Sequence, residues 1–267
     1  QQAFVQFVQL ISDDGIVIGC GEAPGVRNVL EAARGTVITY GVEANNDWQA
    51  RNLAVNDRGG FDFIAVSTIH RQAAQVSLAV PGQHNVLNAL AALAVGHHQG
   101  IELSVAAEIL GQFRGVERRF QLKGMVKGIT IIDDYAHHPT EIKATLAAAR
   151  ARYPEESIWA VFQPHTFSRT WSLLDEFAAA FDDADHVAVL DIYPAREKDE
   201  GRIHSRDLVN RMHHSDARYT GSLAHTVTTL VSRLEPPAIL ITLGAGDGYQ
   251  VGEQLLVELR KKEKQTV

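Results

Sequence analysis

Apolar positions along the chain follow two spacings in turn, and the change divides it into two regions. The spacing over residues 2–11 suits a helix, Gly15 breaks it, and residues 16–18 read as a short strand. A helix over 26–34 and a strand over 36–41 continue an α/β alternation. Residues 48–55, 61–68 and 75–80 are β-rich and separated by polar links such as Asp57-Arg58-Gly59-Gly60, which predicts an antiparallel meander. The Leu- and Ala-rich stretch 84–98, entered through Pro81-Gly82, predicts a strong helix, and a further helix is expected with Ser104 as its N-cap.

From Ile129 onward strands and helices alternate regularly. Strands are predicted at 129–134, 158–162, 186–190 and 238–243. The helices expected between and after them are 139–152 with a proline in its first turn, one reaching Phe181, one from Arg206 capped by Ser205, one near 225–231 and one from Gln250. The charge run Arg260 to Lys264 is expected to be a solvated, fraying helix end. The pattern resets between Arg114 and Lys123, so two domains are expected, 1–121 and 122–267. The fold class is α/β: a first domain with an antiparallel meander, then a doubly wound, mostly parallel domain. In such sheets ligands sit beyond the carboxyl ends of the strands.

Composition narrows the partners. A formal charge of -7 disfavours nucleic acid, and no apolar run approaches the roughly 20 residues of a membrane span. Cys20 is the single cysteine, which rules out an intramolecular disulfide and suits a reducing, cytoplasmic setting. The chain opens at Gln1 in an apolar run without a leader, as expected of a piece of something longer.

Five clusters fall where that topology would build a site. Asp133-Asp134-Tyr135-Ala136-His137-His138-Pro139 follows a strand and opens a helix; the Asp pair reads as a turn or cap, or as part of a site with the two imidazoles. Phe162-Gln163-Pro164-His165-Thr166-Phe167-Ser168-Arg169 occupies the next strand end, with Arg169 either an exposed helix charge or a clamp for a carboxylate or phosphate. Gly244-Ala245-Gly246-Asp247-Gly248 is a glycine-rich turn that could turn its N–H groups toward an anion, weak evidence alone. His84, Asn85 and Asn88 cluster on a helix's first turn, where amides either read a base edge or merely cap. Arg118 and Arg119 stand at the proposed boundary, as surface charge or phosphate contacts. His97-His98 and His213-His214 lack metal-ligand partners at the right spacing, and neither a Ser nucleophile elbow nor a Gly-Lys-Ser or Gly-Lys-Thr phosphate loop occurs.

In order, PGQHNVLNALAA, GVERRF, IDDYAHHPTEI, FQPHTFSRT, LDIYPARE and LGAGD resemble the Mur ligases. The resemblance spans nearly the whole chain and implies the end of the family's central ATPase domain and its complete, Rossmann-like C-terminal domain, without the UDP-sugar domain and the phosphate-loop half. It implies ATP and Mg²⁺ as cofactors, with metal ligands outside this chain, and UDP-N-acetylmuramate and L-alanine as substrates of the intact enzyme. It assigns His84, Asn85 and Asn88 to adenine, Arg119 to the nucleotide phosphates and Asp134 to the ribose. Tyr135, His137, His165 and Arg169 would line the amino-acid pocket, with His137 or His165 the catalytic candidates. Many relatives carry Arg where this chain has Thr166. A tripeptide-recycling ligase shares AHHPT, but QPHTFSRT favours alanine addition. The alternatives are another member of the family or a non-catalytic nucleotide-binding module of the same fold.

Overall fold

A computed structural model of the chain describes residues 1–265, with side chains to residue 262. The chain forms two compact units, Gln1–Arg114 and the residues from Gly115 onward.

The first unit runs α1 (Gln2–Val8), β1 (Ile16–Cys20), α2 (Val26–Leu30), β2 (Thr36–Gly41), β3 (Trp48–Val55), β4 (Phe61–Ser67), β5 (Gln72–Ser77), α3 (Gln83–His98) and α4 (Leu103–Gln112). Its five strands lie in sequence order in one mixed sheet. β1, β2 and β3 pair in parallel, and β3, β4 and β5 form the antiparallel meander. Trp48, Phe63, Val76 and Leu78 from the sheet pack with Val86, Leu90 and Leu93 of α3, residues whose spacing puts them on one helical face. Gly82 precedes α3 at φ 92°, a left-handed value that favours glycine.

Four local expectations are corrected, and α2 is one of them, ending at Leu30 and not at residue 34. α1 ends at Val8 and not at residue 11. β5 begins at Gln72, where it pairs with Ser67, so the last strand of the meander lies three residues earlier than its apolar content indicated. Glu102, not Ser104, occupies the N-cap of α4; Ser104 lies inside the first turn and donates its hydroxyl to the Glu102 carboxylate at 2.5 Å.

The second unit runs β6 (Gln121–Val126), β7 (Ile129–Asp134), α5 (Pro139–Arg152), β8 (Ser157–Phe162), α6 (Phe167–Ser172), α7 (Leu174–Ala178), β9 (His186–Leu190), α8 (Ser205–Arg211), β10 (Ala217–Gly221), α9 (Leu223–Arg233), β11 (Ala238–Leu243) and α10 (Tyr249–Gln265). The strand order is β10-β9-β8-β11-β7-β6, parallel throughout except for β6, which runs antiparallel to β7. β11 is inserted between β7 and β8, and all six of its residues are buried, as a central parallel strand covered on both faces requires. One face packs Ile142 and Leu146 of α5, Phe177 of α7 and Leu208 of α8; the other packs Val227 and Leu230 of α9 with Val251 and Leu255 of α10. Each fully buried Leu, Ile or Phe contributes about 1.5–3 kcal/mol relative to exposure, so the two apolar faces hold the strand ends in place.

β6 and β10, both edge strands, had no counterpart among the predicted elements. The helix expected to reach Phe181 is two short helices, α6 and α7, meeting at Leu173. The N-cap of α8 is His204, whose ring accepts from the Arg206 N–H at 3.0 Å while Asp207 receives the His204 N–H at 2.8 Å; Ser205 is the first helical residue. The charge run continues α10, and its members beyond residue 262 lie outside the described side chains. The units divide at Arg114 and Gly115, seven residues before the expected 121/122, because Arg118 and Phe120 are bonded into the second unit: Arg118 donates to Asp133 and Gly244, and Phe120 N–H to Asp134.

Candidate functional site

In the second unit the carboxyl ends of β7, β8 and β11 carry three of the clusters singled out in the sequence. After β7 the chain turns at Asp134, which is 5% exposed and whose two carboxylate oxygens accept the N–H groups of Ala136 (2.7 Å) and Phe120 (2.8 Å). Burial pushes this carboxyl above the usual carboxylate range, against the pull of those N–H groups and of Arg119. Asp134 therefore organises the turn and ties residue 120 to it; its expected ribose contact would need an oxygen that already holds a backbone donor. α5 starts with a capping box, in which His138 accepts from Thr140 N–H and Glu141 receives the N–H groups of His137 (2.9 Å) and His138 (3.2 Å). His137 Nδ1 lies 2.9 Å from the Tyr135 carbonyl, which can only accept, so Nδ1 carries the hydrogen and Nε2 is the nitrogen left to meet a ligand.

After β8, Pro164 leads into His165 and then Thr166, which sits at φ 49°, ψ 166° ahead of α6. A β-branched residue with positive φ is strained. His165 Nδ1 and Arg169 Nη1 are buried and have no hydrogen-bond partner among the described residues. Burial first, then the Arg169 guanidinium and His137, push the His165 imidazole below its ordinary value, while Glu197 acts in the opposite direction. Four rings stand in a row: Tyr135 is 5.2 Å from His137, His137 is 5.9 Å from His165, and His165 stacks at 5.6 Å and 12° on Tyr193. The structure thus brings Tyr135, His137, His165 and Arg169 together. A buried guanidinium nitrogen without a partner beside an imidazole that burial keeps neutral fits a small ligand carrying a carboxylate and an amine.

The glycine-rich turn after β11 has a different use from the one its sequence suggested. Gly248 N–H donates to Gln163 Oε1 at 2.8 Å, and Gln163 Nε2 donates to Asp247 at 2.7 Å. A β-carbon on Gly246 would stand 2.6 Å from the Tyr193 ring and collide with the Gln163 amide. The glycines admit Gln163 and Tyr193, and at Gly248 the N–H expected to face an anion is engaged.

The two arginines before β6 also separate. Arg118 donates to Asp133 at 2.9 Å and to the Gly244 carbonyl at 2.8 Å, and lies over the rings of Tyr135 (5.0 Å) and Tyr249 (4.8 Å), so it is a strut within the unit. Arg119 is exposed, with its guanidinium 5.6 Å from the Tyr135 ring centroid, and is the member open to a ligand.

In the first unit, His84, Asn85 and Asn88 fall on the first turns of α3, His84 and Asn88 exposed. The Asn85 amide donates to the Pro81 carbonyl at 2.7 Å, and Asn88 donates to Asn85 Oδ1 at 3.2 Å. Asn85 thus closes the Pro81-Gly82 turn and orients the exposed Asn88. Among the described residues no three His, Cys, Asp or Glu side chains are grouped to hold a metal ion, and no helix is long and apolar enough to cross a membrane.

Two neighbours of the site were not singled out from sequence. Tyr193 backs His165, and Glu197 accepts the Ser168 N–H at 2.9 Å. Both lie in LDIYPARE, directly after β9, and that position at a parallel strand's carboxyl end was the available signal.

A fold of two α/β units with these strand-end residues matches known proteins at both levels. Residues 1–96 match the Mur ligase middle domain, and residues 118–246 match the family described as Mur ligase, glutamate ligase domain. The chain belongs to the Mur ligase family. It is 41% identical over 263 residues to the UDP-N-acetylmuramate--L-alanine ligase of Caldanaerobacter subterraneus subsp. tengcongensis, covering 98% of this chain and 57% of that protein. It is 42% identical over 271 residues to the protein of the same name from Acetivibrio thermocellus, covering 100% of this chain and 56% of the relative. The solved UDP-N-acetylmuramate-alanine ligase of Thermotoga maritima superposes with a TM-score of 0.75 at 26% identity, over 98% of this chain and 54% of that one. The chain therefore spans little more than half the length of these relatives.

Proposed function

We propose that this chain supplies adenine-binding and amino-acid-binding residues of an ATP-dependent ligase that joins L-alanine to UDP-N-acetylmuramate in the cytoplasm, in the synthesis of peptidoglycan. The observation that carries the reading is the pair of buried, unpartnered nitrogens, His165 Nδ1 and Arg169 Nη1, in a unit whose relatives are named for alanine ligation. In such ligases ATP activates the acceptor carboxylate as an acyl phosphate, which an amine then attacks. This chain has no Gly-Lys-Ser or Gly-Lys-Thr and, among the described residues, no group fitted to Mg²⁺, so the triphosphate and metal chemistry is not assigned to it.

What its own residues do follows from their geometry. Arg169 offers Nη1 to the amino-acid carboxylate, a charge-assisted bond that also offsets the guanidinium's burial. His165, kept neutral by burial and by Arg169, offers Nδ1 to the amine. Because the amine must lose a proton before it attacks, an imidazole poised to accept is the group the step needs. His137, its Nδ1–H fixed on the Tyr135 carbonyl, presents Nε2 beside it. Thr166 puts a short hydroxyl where many relatives carry a guanidinium, which leaves Arg169 as the cation of the segment. His84 and Asn88 meet the adenine edge, Asn85 holds Asn88 in position, and Arg119 meets phosphate oxygens. Asp134 holds Arg119 and Tyr135 in place through its bonds to Phe120 and Ala136, and the second lone pair on each oxygen is proposed to accept from the ribose.

Calorimetric titration with L-alanine and, separately, with ADP tests both halves. L-alanine binding is expected to disappear in Arg169→Ala and persist in Asn88→Ala, with the reverse for ADP. Binding of L-alanine unaffected by Arg169→Ala would overturn the assignment. With ATP, Mg²⁺, UDP-N-acetylmuramate and L-alanine, the isolated chain is expected to release no ADP, and steady release would show that the triphosphate chemistry had been wrongly placed outside it.

A further inference from the structure

The segment after β8 and the loop after β9 are joined at several points, and only one of those points involves a charged side chain. Tyr193 N–H donates to the Pro164 carbonyl at 2.8 Å, a β-bridge pairs His165 with Tyr193, and their rings stack. Four residues farther on, Glu197 closes the other end. Its Oε2 accepts the Ser168 N–H at 2.9 Å and its Oε1 accepts the Ser168 hydroxyl. One carboxylate thus takes both donors of Ser168, the residue before Arg169, and the Ser168 hydroxyl in turn lies 3.3 Å from the Thr166 hydroxyl.

We propose that Glu197 is a positioning residue for the amino-acid site, latching residues 166–168 so that His165 and Arg169 are held in the geometry that grips the ligand. Three observations require such a latch. Thr166 has positive φ, and strain of that kind persists only where the surroundings over-determine it. α6 is one short helix of six residues, with no side-chain cap from its own N-cap residue, so its first turn depends on an outside acceptor. Arg169 has a buried nitrogen without a partner, so its neighbours rather than its own bond hold that end of the side chain in place before a ligand arrives. Glu197 bonds to Ser168, and its effect on Arg169 passes through the backbone of α6. Its place in LDIYPARE after β9 puts it near the site, and the fold sets its carboxylate against Ser168.

The inference rests on Arg169 and His165 forming the amino-acid grip, and two readouts separate its failure from that of the functional reading. The first uses no ligand: in nitrogen-labelled chain, the Arg169 Nε–H order parameter and the Thr166 to Arg169 amide shifts are compared in Glu197→Ala, Glu197→Gln and the parent. Loss of Arg169 order in Glu197→Ala, with most of it restored in Glu197→Gln because an acceptor oxygen returns, is the expected result. The second is L-alanine affinity, expected to fall about tenfold in Glu197→Ala and less than about threefold in Glu197→Gln, with the melting temperature of both close to the parent. Unchanged Arg169 order in Glu197→Ala overturns the proposal whatever the affinity does. Unchanged affinity alongside lost order overturns it too, because the latch would then have no bearing on binding. If the parent binds no L-alanine, the functional reading falls, and the order parameter alone decides whether Glu197 is a latch.

Discussion

The start of α3 in the first unit and the strand ends of the second unit both looked, in sequence, like polar clusters waiting for a ligand. At α3 the Asn85 amide is engaged with Pro81 and with Asn88, so the polar groups largely serve the turn that starts the helix. At β8 the positions reverse: His165 Nδ1 and Arg169 Nη1 are buried without partners, and the bonds around them go to the backbone that carries them. A side chain that satisfies its neighbours costs stability when removed, whereas one held unsatisfied costs binding. The difference sets Asn85, whose amide is engaged within the chain, apart from His165 and Arg169, which keep bonding capacity for something outside it.

The sharpest way to break that contrast is Arg169→Ala. It is expected to lower L-alanine affinity about 100-fold, the scale of a desolvated charge-assisted pair, while leaving stability unchanged or slightly higher because an unpartnered buried nitrogen is lost. Calorimetry and urea denaturation on the same preparation check both halves. Next comes Gly246→Ala, which would overpack the turn against Gln163 and Tyr193 and cost about 2 kcal/mol in urea denaturation. A neutral result would show that the turn's glycines do not serve packing. At α3, Asn85→Ala is expected to cost about 1 kcal/mol of stability through the lost bond to Pro81 and to leave L-alanine binding untouched.

The smallest effect is electrostatic. His165 titrates below its ordinary value in the folded chain, so protons bind the unfolded chain more readily. Its contribution to stability is present above the ordinary histidine range and is lost as the pH falls through that range toward the folded value. Removing the Arg169 charge should move the His165 ring titration upward and shrink that acid loss. Proton NMR of the ring across pH reads the direction, and a downward movement would contradict the geometry.

How much of this was legible beforehand depended on whether the signal was local. Buried parallel strands such as Ile239 to Leu243 announce themselves as continuous apolar runs, because both faces are covered. β6 was missed because Lys123 and Gly124 interrupt it and Leu122 and Met125 remain exposed at the sheet edge. β10 was missed because it is a five-residue edge strand with no apolar run. His137 and His165 could be found because each lies just past a strand end, and Arg169 because it stands in the first turn of the helix that follows. Two assignments depended on contacts distant in sequence. Arg118 cannot be told from Arg119 until Asp133 and Gly244 are seen beneath it, and the glycine turn reads as an anion cradle until Gln163 is seen filling it. The positive φ of Thr166 has no sequence signature in a β-branched residue, and Glu197 is one charge among several until α6 is placed against it.

The most direct test of the central claim follows the Arg169 Nε–H and the His165 ring by NMR while L-alanine is added, with and without adenine nucleotide. The account predicts that both signals move saturably with one shared dissociation constant and that both responses vanish in Arg169→Ala. Saturable L-alanine binding that leaves those two signals unmoved would contradict it.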